Sequence, residues 1–506
     1  MSYANVLGFD ADKYLQEQSR FITERAERYD KLYLEVGGKL LDDLHAMRVL
    51  PGFVPDMKMR VLQKMQDRCE VIICIYAQDI EENKIRGDYG ITYDADVFRM
   101  IDEFLRHGLK LAGVVITRYA EQPQSKIFIQ RLERRGIRVY THGATQGYPT
   151  DIDTICSDEG YGKNSYIETE RPIVVITAPG PNSGKLATAL CQLYHDTKKG
   201  LNAGYSKFET FPIWNLPLKH PVNIAYEAAT ADLQDVNMID PYHLEACNEN
   251  SVNYNRDVEA YPLLRRILTR IRGRESEYRS PTEMGVNRAG FAIIDDEICR
   301  QAAIQEIIRR YFQVLINYKL GLGSEKTVTR CKLLMEDLNL SEDMRAAIEP
   351  ARDYQRRLQA LDETTDLRPC AAIELPDGRI VTGRQSTTMT AVSAMLLNAL
   401  KAIAGIDDAL HLLSPVVLEP MLDLKGAKLH QSEEPLDAKE VLMALAVSAS
   451  TNTTSALAMT ALPGLFSSQV HCTSIPSKSD KRILSRLGID CSADPYLSST
   501  KIYFEL

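Results

Sequence analysis

Four short, almost unbroken apolar runs constrain this chain more than any other feature. Cys69 to Ala77, Lys110 to Thr117, Ile137 to Thr141 and Ile173 to Ile176 are dense in Val and Ile, and helical patterns over Asp94 to Arg106 and Gln124 to Arg135 separate the first three. Strands this apolar are buried on both faces, and amphipathic helices of about a dozen residues between them act as crossovers to parallel neighbours. The expectation is an α/β fold: a doubly wound, mostly parallel, Rossmann-like sheet over residues 1–235. Such sheets bind ligands outside the carboxyl ends of their strands. Gln78-Asp79, Thr117-Arg118 and Thr141-His142-Gly143 follow the first three runs and are expected on one rim.

The fourth run leads into the most specific local signal. Ile173 to Ile176 is followed by Pro179-Gly180-Pro181-Asn182-Ser183-Gly184 and then by a helical pattern from Lys185. A strand feeding a glycine-bearing loop that opens a helix makes an anion site. The first N–H groups of the helix lack partners, its dipole is positive there, and glycine lets the backbone close on a phosphate. The stretch resembles the phosphate-binding pattern G-x-x-x-x-G-K-[ST] with two departures. Pro179 stands at the first glycine, and Leu186 stands where a hydroxyl would hold magnesium. Thr188, two residues further on, points to roughly the opposite side of a helix. The predicted site has Gly180, Asn182, Ser183 and Gly184 as backbone donors, Lys185 as a charge, and Arg118 and His142 on the rim. A plain strand-to-helix turn is the competing reading.

Gly143 to Thr169 is a long polar connection carrying Asp151, Asp153, Asp158 and Glu159. Connections of this length without an apolar pattern are functional or disordered. These four carboxylates are candidates to hold a magnesium ion over the rim, since that ion takes one or two carboxylates plus substrate phosphates. Acids beside glycines are equally what any turn-rich loop contains.

The formal net charge of -9 argues against a general nucleic-acid binder, which would carry a basic excess. The basic run Arg265, Arg266, Arg270, Arg272 and Arg274 alternates with leucine and isoleucine at helical spacing, as on a solvated helix face. Ten cysteines are scattered without a C-x-x-C, which suits small buried hydrophobes in a reducing compartment. The first residues show no basic head with an apolar core, and no uninterrupted apolar run approaches the roughly 18 residues of a membrane span. A cytoplasmic protein is expected.

Lys207 to Phe211 reads as a further strand, and residues 236–325 form a helical middle segment, with Tyr261 to Ile271 and Glu297 to Tyr318 as helices and a polar knot at Asn253 to Glu259. Phe291 to Glu297 mimics an apolar run ending in metal-binding acids, but Asp295 and Asp296 are better placed to cap a helix. Gly321-Leu322-Gly323-Ser324 is the clearest linker. Residues 326–506 then form a second α/β domain: two helices, the second (Ser341 to Leu361) bent at Pro350, a hairpin turning at Pro376-Asp377-Gly378, and alternating helices and strands. Gly383 to Thr388, at the junction of hairpin and helix, is a further candidate edge, with helix capping as its plain reading. Known catalytic patterns are missing: H-E-x-x-H, G-x-S-x-G and a strand-linked G-x-G-x-x-G do not occur, and His243-Leu244-Glu245 lacks the P-C-x-x-C that completes a zinc deaminase.

Five separated stretches occur in one order: Gly37 to Phe53, Gly147 to Asn164, Ala178 to Lys185, Asn223 to Leu233 and Asn253 to Glu259. Together they resemble a bacterial family known as domain of unknown function 1846, over essentially the whole chain. The resemblance implies a multidomain cytoplasmic α/β protein whose last domain is similar in shape to the cytidine-deaminase architecture. It lends no catalytic residues.

Three functions stay open. The first is a phosphate- or nucleotide-binding enzyme of the phosphoryl-transfer type, taking an anionic small molecule with magnesium at 173–188. The second is a non-catalytic ligand-sensing or assembly protein, expected to form a homo-oligomer. The third is an enzyme centred on the C-terminal domain near Arg384 and Ser386.

Overall fold

A computed structural model describes residues 7–86, 89–362, 368–428 and 434–497. Contacts divide the chain into two compact units, one formed by residues 8–227 and 235–299, the other by 228–234 and the chain from 300 onward.

The first unit is built on six strands: β1 (Lys31–Val36), β2 (Cys69–Tyr76), β3 (Lys110–Thr117), β4 (Val139–His142), β5 (Ile173–Thr177) and β6 (Ala203–Phe208). All pair in parallel, in the order β4-β3-β2-β5-β1-β6. Alternate residues point to opposite faces. Leu32, Leu34, Ile73 and Val175 are as fully buried as Tyr33, Cys74, Val174 and Ile176, so both faces are covered. Tyr33, Cys74, Ile176 and Tyr205 share one core with the helices Lys185–Lys198 and Asn255–Arg272. Helix Ala11–Ala26 packs on β1, and helix Tyr93–Arg106 on β2 and β3. The chain steps outward from β2 to β3 and β4, then returns to β5 and crosses β1 to reach β6. Connections leave the adjacent strands β2 and β5 in opposite directions, so the sheet has its switch point, and its crevice, between their carboxyl ends.

Several expectations are corrected locally. The last strand runs over Ala203–Phe208 instead of beginning at Lys207. Helix Asn255–Arg272 begins inside the polar knot. Pro350 causes no bend: the helix begins at Ile348, so the proline lies in its first turn, where no intrahelical N–H is lost. The connection 143–169 has apolar anchors after all. Ile152, Ile155, Tyr161 and Ile167 are buried in the core beneath helix Lys185–Lys198. Asp295 caps helix Asp296–Lys319, accepting from the Ile298 amide at 3.2 Å. Arg265, Arg266 and Arg270 are exposed on their helix, as read, but Arg272 is turned inward onto the Ala203 carbonyl and Glu277, and Arg274 lies beyond the helix end.

In the second unit, β7 (Cys370–Glu374), β8 (Ile380–Arg384), β9 (Gln469–Cys472) and β10 (Asp490–Ala493) form a mixed sheet in the order β8-β7-β9-β10. Only β9 and β10 run parallel. Helix Ala391–Ala404 lies so close to the hairpin that a Cβ on Gly383 would strike the backbone of Met395. Gly321 (φ +72°) and Ser324 turn helix Asp296–Lys319 into helix Glu325–Asp337 within this unit. No described helix is long and apolar enough to cross a membrane.

The middle of the parallel sheet has no slack. Truncating Leu34, which is fully buried in β1, leaves a cavity with no route to collapse. Leu34→Ala is expected to cost about 2–5 kcal/mol, measured as a lowered urea midpoint for the first cooperative transition.

Candidate functional site

The stretch after β5 keeps its backbone donors unspent. Gly184 ends the loop in the left-handed region (φ +82°), packed on the Thr117 side chain, and helix Lys185–Lys198 starts immediately after it. The Thr117 hydroxyl donates to the Ser183 carbonyl at 2.9 Å, which ties the loop to the end of β3. The Ser183 hydroxyl donates to the Gly180 carbonyl at 2.8 Å and is consumed inside the loop. Carbonyls are therefore used up. The amides of Asn182 through Ala187 have no acceptor among the described residues, and the first backbone bond of the helix is Thr188 to Gly184. The half-buried Lys185 ammonium finds no ion pair or hydrogen bond among the described residues.

Arg118 joins this cup. It leaves β3 in a left-handed conformation (φ +50°), stacks its guanidinium 3.6 Å from the centroid of the Tyr76 ring at the end of β2, and donates to the Asn182 carbonyl. Gly180, Asn182, Ser183, Gly184, Lys185 and Arg118 are thus brought together at the β2–β5 crevice.

The remaining predicted residues go elsewhere. His142 is buried, and its Nε2–H donates to the Ser165 carbonyl at 2.9 Å. It pins the 143–169 connection instead of lining the rim. Burial pushes its ring down to about 4, so it is neutral near pH 7. The four carboxylates are dispersed on exposed positions. Asp151 caps the short helix Ile152–Ile155, accepting from Thr154 at 3.1 Å. Asp153 pairs with Arg270 at 3.0 Å, Asp158 with Lys198 and Tyr194, and Glu159 donates its amide to Ser157. Among the described residues no group of three or more His, Cys, Asp or Glu side chains is placed to hold a metal.

Sequence reasoning missed the other half of the edge. Beside the cup, β1 and β6 end in a cluster of ionisable groups. Glu35 lies opposite Ile176 on one side and Lys207 on the other, and accepts from the Tyr205 hydroxyl at 2.7 Å. Lys207 donates to both oxygens of Asp257, at 2.7 and 2.8 Å, from helix Asn255–Arg272. Burial alone would lower the Lys207 ammonium, but Asp257, Glu209 and Glu35 outweigh it and hold it well above the usual range. Glu209 stands 3.7 Å from Lys207 and folds over Gly37, where a Cβ would overlap its carboxyl. Burial raises this carboxyl despite Lys207, with Asp257 and Glu35 pushing the same way. Lys207, Glu209 and Asp257 keep 18%, 20% and 13% of their side-chain surface, so water reaches all three. The available signal was the alternation Lys207-Phe208-Glu209, two charges on one face at a strand's carboxyl end.

Two sites in the second unit carry no accessible chemistry. Ser492, His471 and Asp494 stand in the order of a nucleophilic triad, His471 Nδ1 being 3.0 Å from the serine and Nε2 3.4 Å from the acid. All three are buried, and the serine oxygen already accepts from Arg345 at 3.1 Å and donates to Val470 at 3.2 Å. Near Arg384, the Ser386 hydroxyl accepts from the amides of Thr388 and Met389, both at 3.2 Å. That is turn formation.

A family model described as domain of unknown function DUF1846, N-terminal, matches residues 7–339, and its C-terminal counterpart matches residues 343–503. A UPF0371 protein of Clostridium tetani (strain Massachusetts / E88) is 55% identical over 98% of this chain and 99% of its own length. A UPF0371 protein of Clostridium botulinum (strain Kyoto / Type A2) is 56% identical over the same shares.

His142 also sets a pH dependence. Its ring titrates near 6.5 when unfolded and about 4 when folded, so the unfolded chain binds the extra proton between those values. Stability is complete above pH 6.5 and is lost as the pH falls from there toward 4, by about 3 kcal/mol or less. His142→Gln is expected to flatten the slope of the urea midpoint against pH across this window relative to wild type.

Proposed function

The chain belongs to the DUF1846 family, and from the chemistry of its sheet edge we propose that it binds a phosphate-bearing small molecule, a nucleotide or a smaller phosphorylated metabolite, and acts on it as an enzyme. One observation carries this reading. Among the described residues, a run of amides with no acceptor, from Asn182 through Ala187, meets the ammonium of Lys185, which has no partner there, and the guanidinium of Arg118 at the switch point of a parallel sheet. Donors of this kind are arranged for an anion, and low local dielectric strengthens each contact. Phosphoryl transfer is the finer expectation, because it asks the protein chiefly for positioning and charge. Leu186 offers no hydroxyl to a magnesium ion, which counts against ordinary nucleotide hydrolysis.

A non-catalytic sensor would share the cup, but the water-accessible cluster at Lys207 and Glu209 favours an enzyme. A cytoplasmic setting belongs to the same proposal, supported by ten free thiols. The hairpin-first strand order of the second unit supports a deaminase-like shape there, without the deaminase ligands.

The test is a thermal-shift titration of wild type and Lys185→Ala with inorganic phosphate, pyrophosphate, ATP and sugar phosphates. At least one is expected to stabilise the wild type, with its apparent Kd rising about tenfold in the variant, equivalent to about 1.4 kcal/mol. Equal stabilisation of both proteins would refute the role given to this loop.

A further inference from the structure

Charge is segregated along the carboxyl edge of the sheet. The amide cup, Lys185 and Arg118 occupy the ends of β5 and β3, and the acids Glu35, Glu209 and Asp257 surround Lys207 at the ends of β1 and β6. Neighbouring strands are about 4.8 Å apart, and Glu209 reaches from the end of β6 over Gly37 at the end of β1, the strand beside β5, so its carboxyl stands about one strand spacing or more from the strand that carries the cup. A phosphate seated in the cup is therefore out of Glu209's reach. Only a part of the ligand beyond its phosphate comes within the roughly 3 Å that proton transfer requires. The phosphate is then a handle, and its binding energy serves chemistry elsewhere on the molecule.

Two observations mark the far end as a reacting centre. Glu209 makes no hydrogen bond among the described residues, and its nearest cation is Lys207 at 3.7 Å. Tyr254, 2% exposed, has a hydroxyl with no partner among the described residues, and the charges of Glu209 and Asp257 both act on it. A buried hydroxyl left unpaired costs about 1–3 kcal/mol, which a ligand's oxygen would relieve.

We propose that this end of the edge is a proton-transfer site for a phosphorylated hydroxycarbonyl compound, with Glu209 as the base and Lys207 as the stabiliser of the developing oxyanion. The reading rests on the phosphate cup proposed above. In the step, the C–H bond beside the carbonyl breaks and its proton passes to Glu209. The electron pair enters a new carbon–carbon double bond, and the carbonyl π pair moves onto oxygen beside the Lys207 ammonium. The neighbouring hydroxyl's proton passes to that oxyanion, its O–H pair becoming the new carbonyl π bond as Glu209 returns its proton to the former carbonyl carbon, which interconverts the aldehyde and ketone forms without any oxidant. The groups facing Glu209 suit this cycle. Burial, Asp257 and Glu35 favour its protonated form, and Lys207 and Arg256 its carboxylate.

The experiment incubates the full chain in deuterated water with a panel of triose to hexose phosphates. Deuterium on carbon is followed by mass spectrometry, and binding by thermal shift. Wild type is expected to place one deuterium in at least one member that it binds. Glu209→Gln should bind that member with an unchanged shift and exchange about a thousandfold more slowly, with partial recovery in Glu209→Asp. Lys185→Ala should lose binding and exchange together. A member that binds without exchange in wild type, or exchange that persists in Glu209→Gln, overturns the role of Glu209 and leaves the cup standing. If no member shifts wild type, this proposal falls, and the cup is then judged by the titration with inorganic phosphate, pyrophosphate and ATP.

Discussion

The insertion of β1 between β5 and β6 is the constraint on which the candidate site depends. Lys31–Val36 hydrogen-bonds along its length to strands that come more than a hundred residues later, with Leu32 opposite Ile173 on one side and Lys31 opposite Ala203 on the other. It is buried at every position, so its pairing is specified by apolar surface on both faces as well as by the two ladders. Without it, the loop after β5 and the charged end of β6 would be neighbours in sequence only. With it, Glu35 becomes the spacer between the amide cup and a cluster of acids around one lysine. A buried pair, Lys58 with Asp43 at 3.1 Å, also holds the Gly37 carbonyl at the strand's end.

The edge is electrostatically two-sided, and each side is internally consistent. At the cup the carbonyls of Gly180, Asn182 and Ser183 are all occupied by protein donors, leaving the amides outward. At the other end no ammonium is left uncompensated, because Asp257 takes two of the Lys207 hydrogens. The excess there is acidic, which disfavours a phosphate and favours a neutral, hydroxyl-rich group. A ligand that is anionic at one end only fits this division better than one charged throughout.

Much of this fold was legible in the sequence, for physical reasons that also explain the failures. β3 was read to the residue, and β2 to within one, because Val and Ile are packed on both faces. β6 was misplaced, since Ala203-Gly204-Tyr205-Ser206 has little intrinsic strand preference and is made a strand by its neighbour. The cup was legible because its chemistry is local, in one loop and one helix start. His142 misled because a polar residue after a strand says nothing about which way its ring turns. The Lys207 cluster was hidden because its members come from β1, β6 and a helix fifty residues further on, and strand order cannot be read from periodicity.

The interposed first strand has a consequence for biosynthesis. β1 leaves the ribosome long before either of its partners has been made, and translation at about 5–20 residues per second leaves it waiting for on the order of ten seconds. During that interval a largely apolar segment has only β2, β3 and β4 within reach, and none of them is its neighbour in the finished sheet. A premature β1–β2 ladder would compete with the finished order, so the order of synthesis bears on the folding of this sheet in a way that its final stability does not reveal.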